Sequence, residues 1–396
     1  MKIEDRAIAL EMRRQKKMAR STHAYVRGST KDFYTWLELE DRVHAPKGPS
    51  IWICGDCHLG NLGALADANG EVAIQIRDFD QTVIGNPAHD LIRLGLSLAS
   101  AARSSNLPGV ITSLLVEELA RGYIAAFRRA LANEPGSKAP KSIRRHIKQA
   151  VNRRWKHLAK DRFHGTKPAI PFGKRFWPLS GDELTEIKSV IQSEEIHRRV
   201  CLLRSDDDAE VEFKEAAYWV KGCSSLGRLR YAVLVTVDGE PYLLDLKEAA
   251  SPIAPRALDA KLPKNNAERI VTGARRLSPN LGERMAAICL GKRPVVMREL
   301  APQDLKLELE RMRKKEAIEV AAYLASVVGD AHAGQMSNQE RADWINTLES
   351  DDRRKIDAPS WLWDSVVQLM EHHEGAYLRY CRRTMLANVK ALGIAG

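Results

Sequence analysis

Apolar and polar positions alternate with two periods along this chain, and the change of period marks its organisation. Residues 51–54 form a short apolar run closed by Gly55, the pattern of a buried strand. A polar loop follows, and residues 72–76 form a second strand-like run after the turn-like Asp67-Ala68-Asn69-Gly70. Behind Asp90, apolar Leu91, Leu94 and Leu98 recur on one helical face, and the helical pattern runs to about Ala132. Upstream, residues 1–37 read as helical with an interruption at Arg27-Gly28. Residues 133–140 are a break. A basic amphipathic helix over 142–160 follows, then a Pro- and aromatic-containing stretch to Pro178.

From Tyr218 the period shifts to strands: strand, Gly/Ser loop, strand, a Val237-Asp238-Gly239-Glu240 turn, then a strand ending at Lys247. Residues 265–277 predict a helix, 293–304 a strand and connector, 308–333 a strong helix, and 344–392 further helix. These elements predict an α+β protein in three segments: a helical catalytic lobe over 1–200 with a basic insertion at 133–197, a β-rich lobe over 201–304, and a helical segment over 305–396 that completes the first lobe.

Composition narrows this only slightly. At 396 residues the chain holds one large bilobal unit or two domains. No run approaches the length of a membrane-spanning helix, so no span is expected. The charged N-terminus lacks the apolar core of a secretory signal, which makes a cytoplasmic setting the expectation. Cys54 and Cys57 form a C-x-x-C, but no second pair stands at zinc spacing, and free thiols are the simpler reading. The formal charge of +11 favours anionic partners such as nucleotides and phosphorylated substrates. Basic residues interleaved with Trp155, Phe163, Phe172, Phe176 and Trp177 leave RNA as a lesser alternative to a solvated helix anchored by aromatics.

The candidate chemistry lies in the first strand-bearing stretch. Asp56 and Asn61 stand in the order D-x-x-x-x-N with His58 between them, and Asp78 and Asp80 follow in D-F-D. Phosphoryl transfer needs a carboxylate for an acceptor hydroxyl, an amide oxygen and a carboxylate for metal, and little else from the protein. Magnesium suits such a set because it keeps phosphate and water ligands rather than a full protein cage. Asp and Asn are also common turn residues, so D-x-x-x-x-N alone is weak.

These segments, G-D-C-H-L-G-N, R-D-F-D and G-N-P-A-H-D-L, resemble the catalytic segment of aminoglycoside-phosphotransferase-like kinases. From about Lys17 to Met336 the chain is closer still to the bacterial family called domain of unknown function 2252. Shared features are K-M-A-x-S with R-G, G-D-x-H-x-x-N-x-G, D-F-D, D-L-x-R-L-x-x-S, a G-x-S-S-x-G-x-x-R loop, a strand ending K-E-A, and A-H-A.

The resemblance implies a bilobal protein-kinase-like fold with a large helical lobe, circularly permuted because Asp56 precedes the glycine-containing loop. It implies ATP and Mg2+ as cofactors, with Asp56, His58 and Lys247 as catalytic residues and Asn61, Asp78 and Asp80 as metal ligands. For the nucleotide it implies Gly222, Ser224, Ser225, Gly227, Arg228, Lys247 and Glu268, with Met297, Glu299 and Leu300 lining the base, and Gln303 and Asp304 as candidates for ribose or substrate. Glu268 is the expected partner of Lys247. Asp90 is expected to brace the catalytic loop through backbone hydrogen bonds, and the helix over 308–333 to stand where the helix entering that loop normally stands. Arg27 is open between a phosphate contact and an ion pair with a core Asp, and His332 between packing and catalysis. The implied activity is phosphoryl transfer to a hydroxyl of an unidentified small molecule or protein. Nucleotidyl transfer, or a non-catalytic pseudokinase or RNA-binding module, is the alternative.

Overall fold

In the computed structural model, which describes residues 3–39, 45–67, 69–105, 107–163, 168–194, 196–197, 209–221, 227–307, 314–349 and 359–391, the chain is a mixed α+β structure with several sheets. The largest sheet is antiparallel and has six strands in the order β5-β6-β7-β8-β10-β9. These are β5 (Phe176–Trp177), β6 (Val211–Trp219), β7 (Arg230–Val237), β8 (Glu240–Glu248), β9 (Met285–Leu290) and β10 (Arg293–Glu299). The hairpin between β7 and β8 turns at Asp238 and Gly239, which both have positive φ. Asp-Gly is the pair that tolerates this at least cost. The alternation of β8 puts Asp245 and Lys247 on one face.

A second sheet has the order β11-β2-β3, from β11 (Leu305–Lys306), β2 (Leu62–Ala66) and β3 (Val72–Ile76). Two short strands, β1 (Ile51–Ile53) and β4 (Val83–Gly85), pair beside it. The N-terminal helices are α1 (Ile3–Met18), α2 (Thr22–Val26) and α3 (Thr30–Leu39). Then come α4 (Pro87–Ser104), α5 (Gly109–Ala132), α6 (Lys141–Val151), α7 (Trp155–Phe163) and α8 (Gly181–Ile191). Helices α9 (Asn266–Leu277) and α10 (Pro279–Gly282) lie between β8 and β9. The last three are α11 (Lys314–Ala333), α12 (Asn338–Glu349) and α13 (Ser360–Ala391). Among the described residues no helix is long and apolar enough to cross a membrane.

The helix expected from Asp90 to Ala132 is two helices. Pro108 has no N–H to give and its ring crowds the carbonyl four residues back, so α4 ends at Ser104 and helix restarts as α5 at Gly109. The start of α4 lies upstream of Asp90: Asn86 caps it through its side chain and Pro87 takes the first position. The basic helix expected over 142–160 also divides, at Asn152 to Arg154, into α6 and α7. Its aromatic neighbours are mostly core residues: Phe163, Phe176 and Trp177 are buried, and Trp155 packs against them. Of the five, Phe172 is the exposed one, so a row of aromatics open to stacking bases is not formed. Strand β5 and helix α8 pack with the six-stranded sheet, so that layer takes in chain upstream of residue 201.

One core brings chain-distant helices together. Helix α11 crosses α5 at Gly122 and Gly329, where a Cβ on Gly122 would stand 2.0 Å from the Ala322 carbonyl oxygen. Gly122→Ala is therefore expected to force the helices apart and cost about 1–3 kcal/mol by overpacking. Gly109→Ala, which meets open space, is expected to change stability by less than about 0.5 kcal/mol. Urea denaturation of the two variants checks both.

Candidate functional site

The loop after β1 is held by one face of α4. Asp90, Arg93 and Ser97 are spaced by three and four residues and so lie one above another on that face. Asp90 accepts the backbone N–H of Cys54 at 2.7 Å and of Gly55 at 2.9 Å. Arg93 Nε donates to Asp56 Oδ1 at 2.9 Å, and the Leu59 N–H donates to Ser97 Oγ at 3.1 Å. Behind Asp90 stands a buried chain of polar groups: His332 Nε2 at 3.3 Å, Tyr123 Oη at 2.9 Å from His332 Nδ1, and Trp344 Nε1 at 3.3 Å from Tyr123. Asp90 and His332 are fully buried, which such partners make tolerable. Asp90 thus braces the loop, and His332 packs behind it, remote from solvent. Gly55 supplies the turn: its φ is +73°, and a Cβ there would stand 2.2 Å from the Gln81 carbonyl oxygen.

Asp56 is buried and both its oxygens are engaged, Oδ1 by Arg93 and Oδ2 by Thr30 Oγ1 at 3.0 Å. Burial pushes its carboxyl above the ordinary value, while Arg93 and Thr30 pull against that. His58 is also buried, with Nε2 3.9 Å from Asp56 Oδ2. Burial, then the charges of Arg27 and Arg93, drive its pKa well down, so the imidazole is neutral near pH 7. Asn61 donates its amide N–H to the Asp56 carbonyl at 3.0 Å. Its amide oxygen is left as the end without a partner among the described residues. The Arg77 N–H donates to the Asn61 carbonyl at 2.7 Å, so Asp78 follows directly beside Asn61.

Lys247 crosses from the large sheet to the D-F-D loop. Its Nζ lies 2.6 Å from Asp80 Oδ2 and 3.3 Å from Asp78 Oδ1. Burial works against charge on Lys247, but Asp78 and Asp80 outweigh it and raise its pKa. Asp78 is held below the usual carboxylate range because Lys247 and Arg230 overcome its desolvation. Asp80 is pushed up by burial and by Asp78 beside it. The side chain of Asp78 is 45% exposed, that of Asp80 15%, so Asp78 presents the open carboxylate. Arg228 approaches Asp80 at 3.9 Å. On the same face of β8 as Lys247, Asp245 pairs with Arg230 at 2.5 Å and Lys221 at 3.3 Å.

The structure brings together Asp56, His58, Asn61, Asp78, Asp80, Lys247 and Arg228, and places Glu268, Met297, Glu299, Leu300 and Asp304 in other surroundings. Glu268 is exposed in the first turn of α9, and among the described residues the carboxylates on Lys247 are Asp78 and Asp80. Its neighbour Arg269 is the residue that reaches the loop, donating to the carbonyls of Thr82, Asp80 and Ala250. Position 268 faces outward because Asn265 caps α9 and turns Ala267, Arg269 and Ile270 inward. Met297 is buried within a strand paired on both sides. The Glu299 N–H donates to the Arg284 carbonyl and the Leu300 N–H to the Leu243 carbonyl, so neither amide is open to a base. Asp304 is buried between Arg284 at 2.7 Å and Arg298 at 3.0 Å, which gives it a bracing place. Gly222, Ser224 and Ser225 lie outside the described residues; Gly227 has a φ of +103°. Cys54 and Cys57 are buried free thiols.

Arg93 and Thr30 were not marked as site residues by the sequence. Arg93 lies inside D-L-x-R-L-x-x-S, and its helical register with Asp90 and Ser97 was the available signal. Thr30 carries none, since its role comes from the way α3 packs. Arg93 also takes the core ion pair that Arg27 was a candidate for. The Arg27 guanidinium instead lies on Gly60, with a Cβ position there 2.9 Å from Nε.

Arg93→Met is expected to destabilise the fold by about 3–5 kcal/mol, because it leaves a buried carboxylate uncompensated. The sign of the pH dependence follows from Asp56, whose pKa is raised in the fold. The folded state then binds more protons than the unfolded one, so stability falls as pH rises. The loss in Arg93→Met should be smaller at pH 5 than at pH 8, and Asp56→Asn combined with it should restore part of it. Denaturant titrations at both pH values check this.

Neither a curated protein nor a solved structure matches the chain. One family model does, over residues 6–383, and its description is an uncharacterized protein conserved in bacteria (DUF2252). That match takes in the loop, the D-F-D segment, α4 and the Lys247 strand together, and the chain belongs to the DUF2252 family.

Proposed function

We propose that this protein is a phosphotransferase that uses ATP and magnesium to phosphorylate a hydroxyl group. The observation that carries the reading is the meeting of Lys247 with Asp78, 169 residues away in sequence, and with Asp80, beside the Asp56–Asn61 loop. A sheet lysine set against a D-F-D carboxylate pair is the arrangement by which kinase-like enzymes hold phosphates and metal. The chain order supports a permuted version of that fold. Just past α11, Gln335 exchanges two hydrogen bonds of 3.0 Å with the backbone of Trp52 in β1. The end of that helix therefore adjoins the strand that enters the Asp56 loop.

In this reading the acceptor hydroxyl gives its proton to a free lone pair of Asp56. Its oxygen forms a bond to the terminal phosphorus of ATP as the bond to ADP breaks. The raised pKa of Asp56 suits a base of this kind. Arg93, Thr30 and the α4 contacts keep the carboxylate in place. The residues fit magnesium: Asp78 is ionised and open, Asn61 has its amide oxygen free of partners among the described residues, and Asp80 is occupied by Lys247. Among the described residues no set of three or more His, Cys, Asp or Glu could hold a metal alone, which matches an ion completed by phosphate oxygens. When bound, magnesium would supply charge neutralisation at the phosphates.

Isothermal titration is expected to show saturable ATP binding that needs magnesium. Binding should weaken at least tenfold in Asp78→Ala and in Lys247→Ala. Saturable binding absent from the wild type would overturn the proposal. Label from γ-labelled ATP should pass to acceptors; passage of α-label instead would assign nucleotidyl transfer to the same site.

A further inference from the structure

Three cations surround the segment Leu59 to Gly63 and none has an acidic partner among the described residues. Arg27 lies against Gly60, whose Cβ position is 2.9–3.1 Å from the Arg27 guanidinium atoms. Arg77 lies against Gly63 in the same manner, at 2.9 Å from Cδ and 3.1 Å from Nη1. Lys306 is paired in register with Gly63 across β11 and β2. A side chain at 60 would push the Arg27 guanidinium away, and one at 63 would meet the Leu305 carbonyl oxygen at 2.6 Å as well as Arg77, so Gly60 makes room for Arg27 and Gly63 for both β11 and Arg77.

The charges are not balanced. Nε of Arg27, and Nε and Nη1 of Arg77, are buried without a hydrogen-bond acceptor. Neither guanidinium, nor the Lys306 ammonium, has a carboxylate within ion-pair distance among the described residues. Other arginines of this region have carboxylate partners: Arg284 and Arg298 hold Asp304, Arg93 holds Asp56, and Arg230 holds Asp245. Like charges held together and partly desolvated are unfavourable unless an anion joins them. Desolvation and then the charges of Arg27, Arg77, Lys17 and Arg162 bring Lys306 down to about 8. His58, on the candidate catalytic loop, feels both Arg27 and Lys306.

We propose that Arg27, Arg77 and Lys306 form a subsite for a phosphate-type dianion, and that this anion is carried by the acceptor. The substrate class is then an alcohol that already bears a phosphomonoester or an equivalent group. The assignment of the anion to an acceptor rests on the phosphotransferase reading; the anion subsite itself does not. Arg27 and Arg77 offer planar forks that match phosphate oxygens, and Lys306 adds a point charge. All three lie on the Gly60–Gly63 side of the loop, whereas Lys247, Arg228 and Arg230 gather at Asp78, Asp80 and Asp245. The two groups of cations therefore differ in their partners: Lys247, Arg228 and Arg230 are matched by carboxylates, whereas Arg27, Arg77 and Lys306 have no such match among the described residues.

The test uses the full chain and inorganic phosphate as the probe, titrated calorimetrically at low ionic strength with and without saturating ATP and magnesium. Phosphate is expected to bind the wild type and the Lys247→Ala variant alike, and to bind still when ATP is present. Arg27→Gln, Arg77→Gln and Lys306→Gln should each weaken it at least tenfold. Affinity should also fall from pH 7 to pH 9 as Lys306 loses its proton. Lys306 is exposed, so Lys306→Gln is expected to fold even where an arginine variant does not. No phosphate binding by the wild type, or unchanged binding by Lys306→Gln, would overturn the subsite. Displacement of phosphate by ATP, or its loss in Lys247→Ala, would place the anion in the nucleotide site and overturn the acceptor assignment. Phosphate binding without any ATP binding would keep the subsite and remove the phosphotransferase reading instead.

Discussion

A buried carboxylate bound to two backbone amides sets the geometry on which the rest of the site depends. Asp90 takes the N–H groups of Cys54 and Gly55, and that fixes where the loop leaves β1. Without such an acceptor those donors would be buried and unpaired, at a cost of about 1–3 kcal/mol each. The carboxylate is itself tolerable only because His332, Tyr123 and Trp344 close a polar chain behind it. The helices that supply this chain, α5, α11 and α12, are far apart in sequence. A perturbation in their packing is therefore carried directly to the loop.

The second constraint is electrostatic. Asp56 and Asp78 are near each other and differ in environment: one is buried and raised, the other open and lowered. Two carboxylates whose surroundings separate their pKa values are suited to different tasks, and the proposed reaction assigns them proton acceptance and metal ligation. Lys247 ties the six-stranded sheet to the D-F-D loop, and Arg269 ties α9 to the same loop from the other side. Both link the sheet layer to the loop through charged groups rather than apolar packing alone.

The positive charge of the chain is unevenly used. Much of it braces buried carboxylates, as Arg284 and Arg298 do at Asp304. The basic stretch 142–160 is largely structural: Arg153 holds the Pro302 carbonyl and pairs with Asp161, and Arg145 pairs with Glu316. Its aromatic residues are mostly core. Around Gly60 and Gly63 stand three cations that no carboxylate reaches among the described residues.

The sequence by itself determined the local elements and the order of the motifs. Short apolar runs, the Asp-Gly turn and the helical periods are local patterns, and β1, β3, β7, β8, α9 and α11 follow from them. Asp56, Asn61, Asp78 and Lys247 were legible for the same reason, since their types and spacing are carried within short segments. What lay beyond the sequence was pairing at long range. Glu268 was one acidic residue near the right place, but the capped start of α9 turned it outward and turned Arg269 inward. Met297 to Leu300 read as an open connector, and the sheet closed around it. Arg93 read as one more basic residue of a helix, and only its packing under the loop made it the counter-charge of Asp56. Local propensity is written residue by residue, whereas the partner of a buried charge is decided by which surfaces the core brings together.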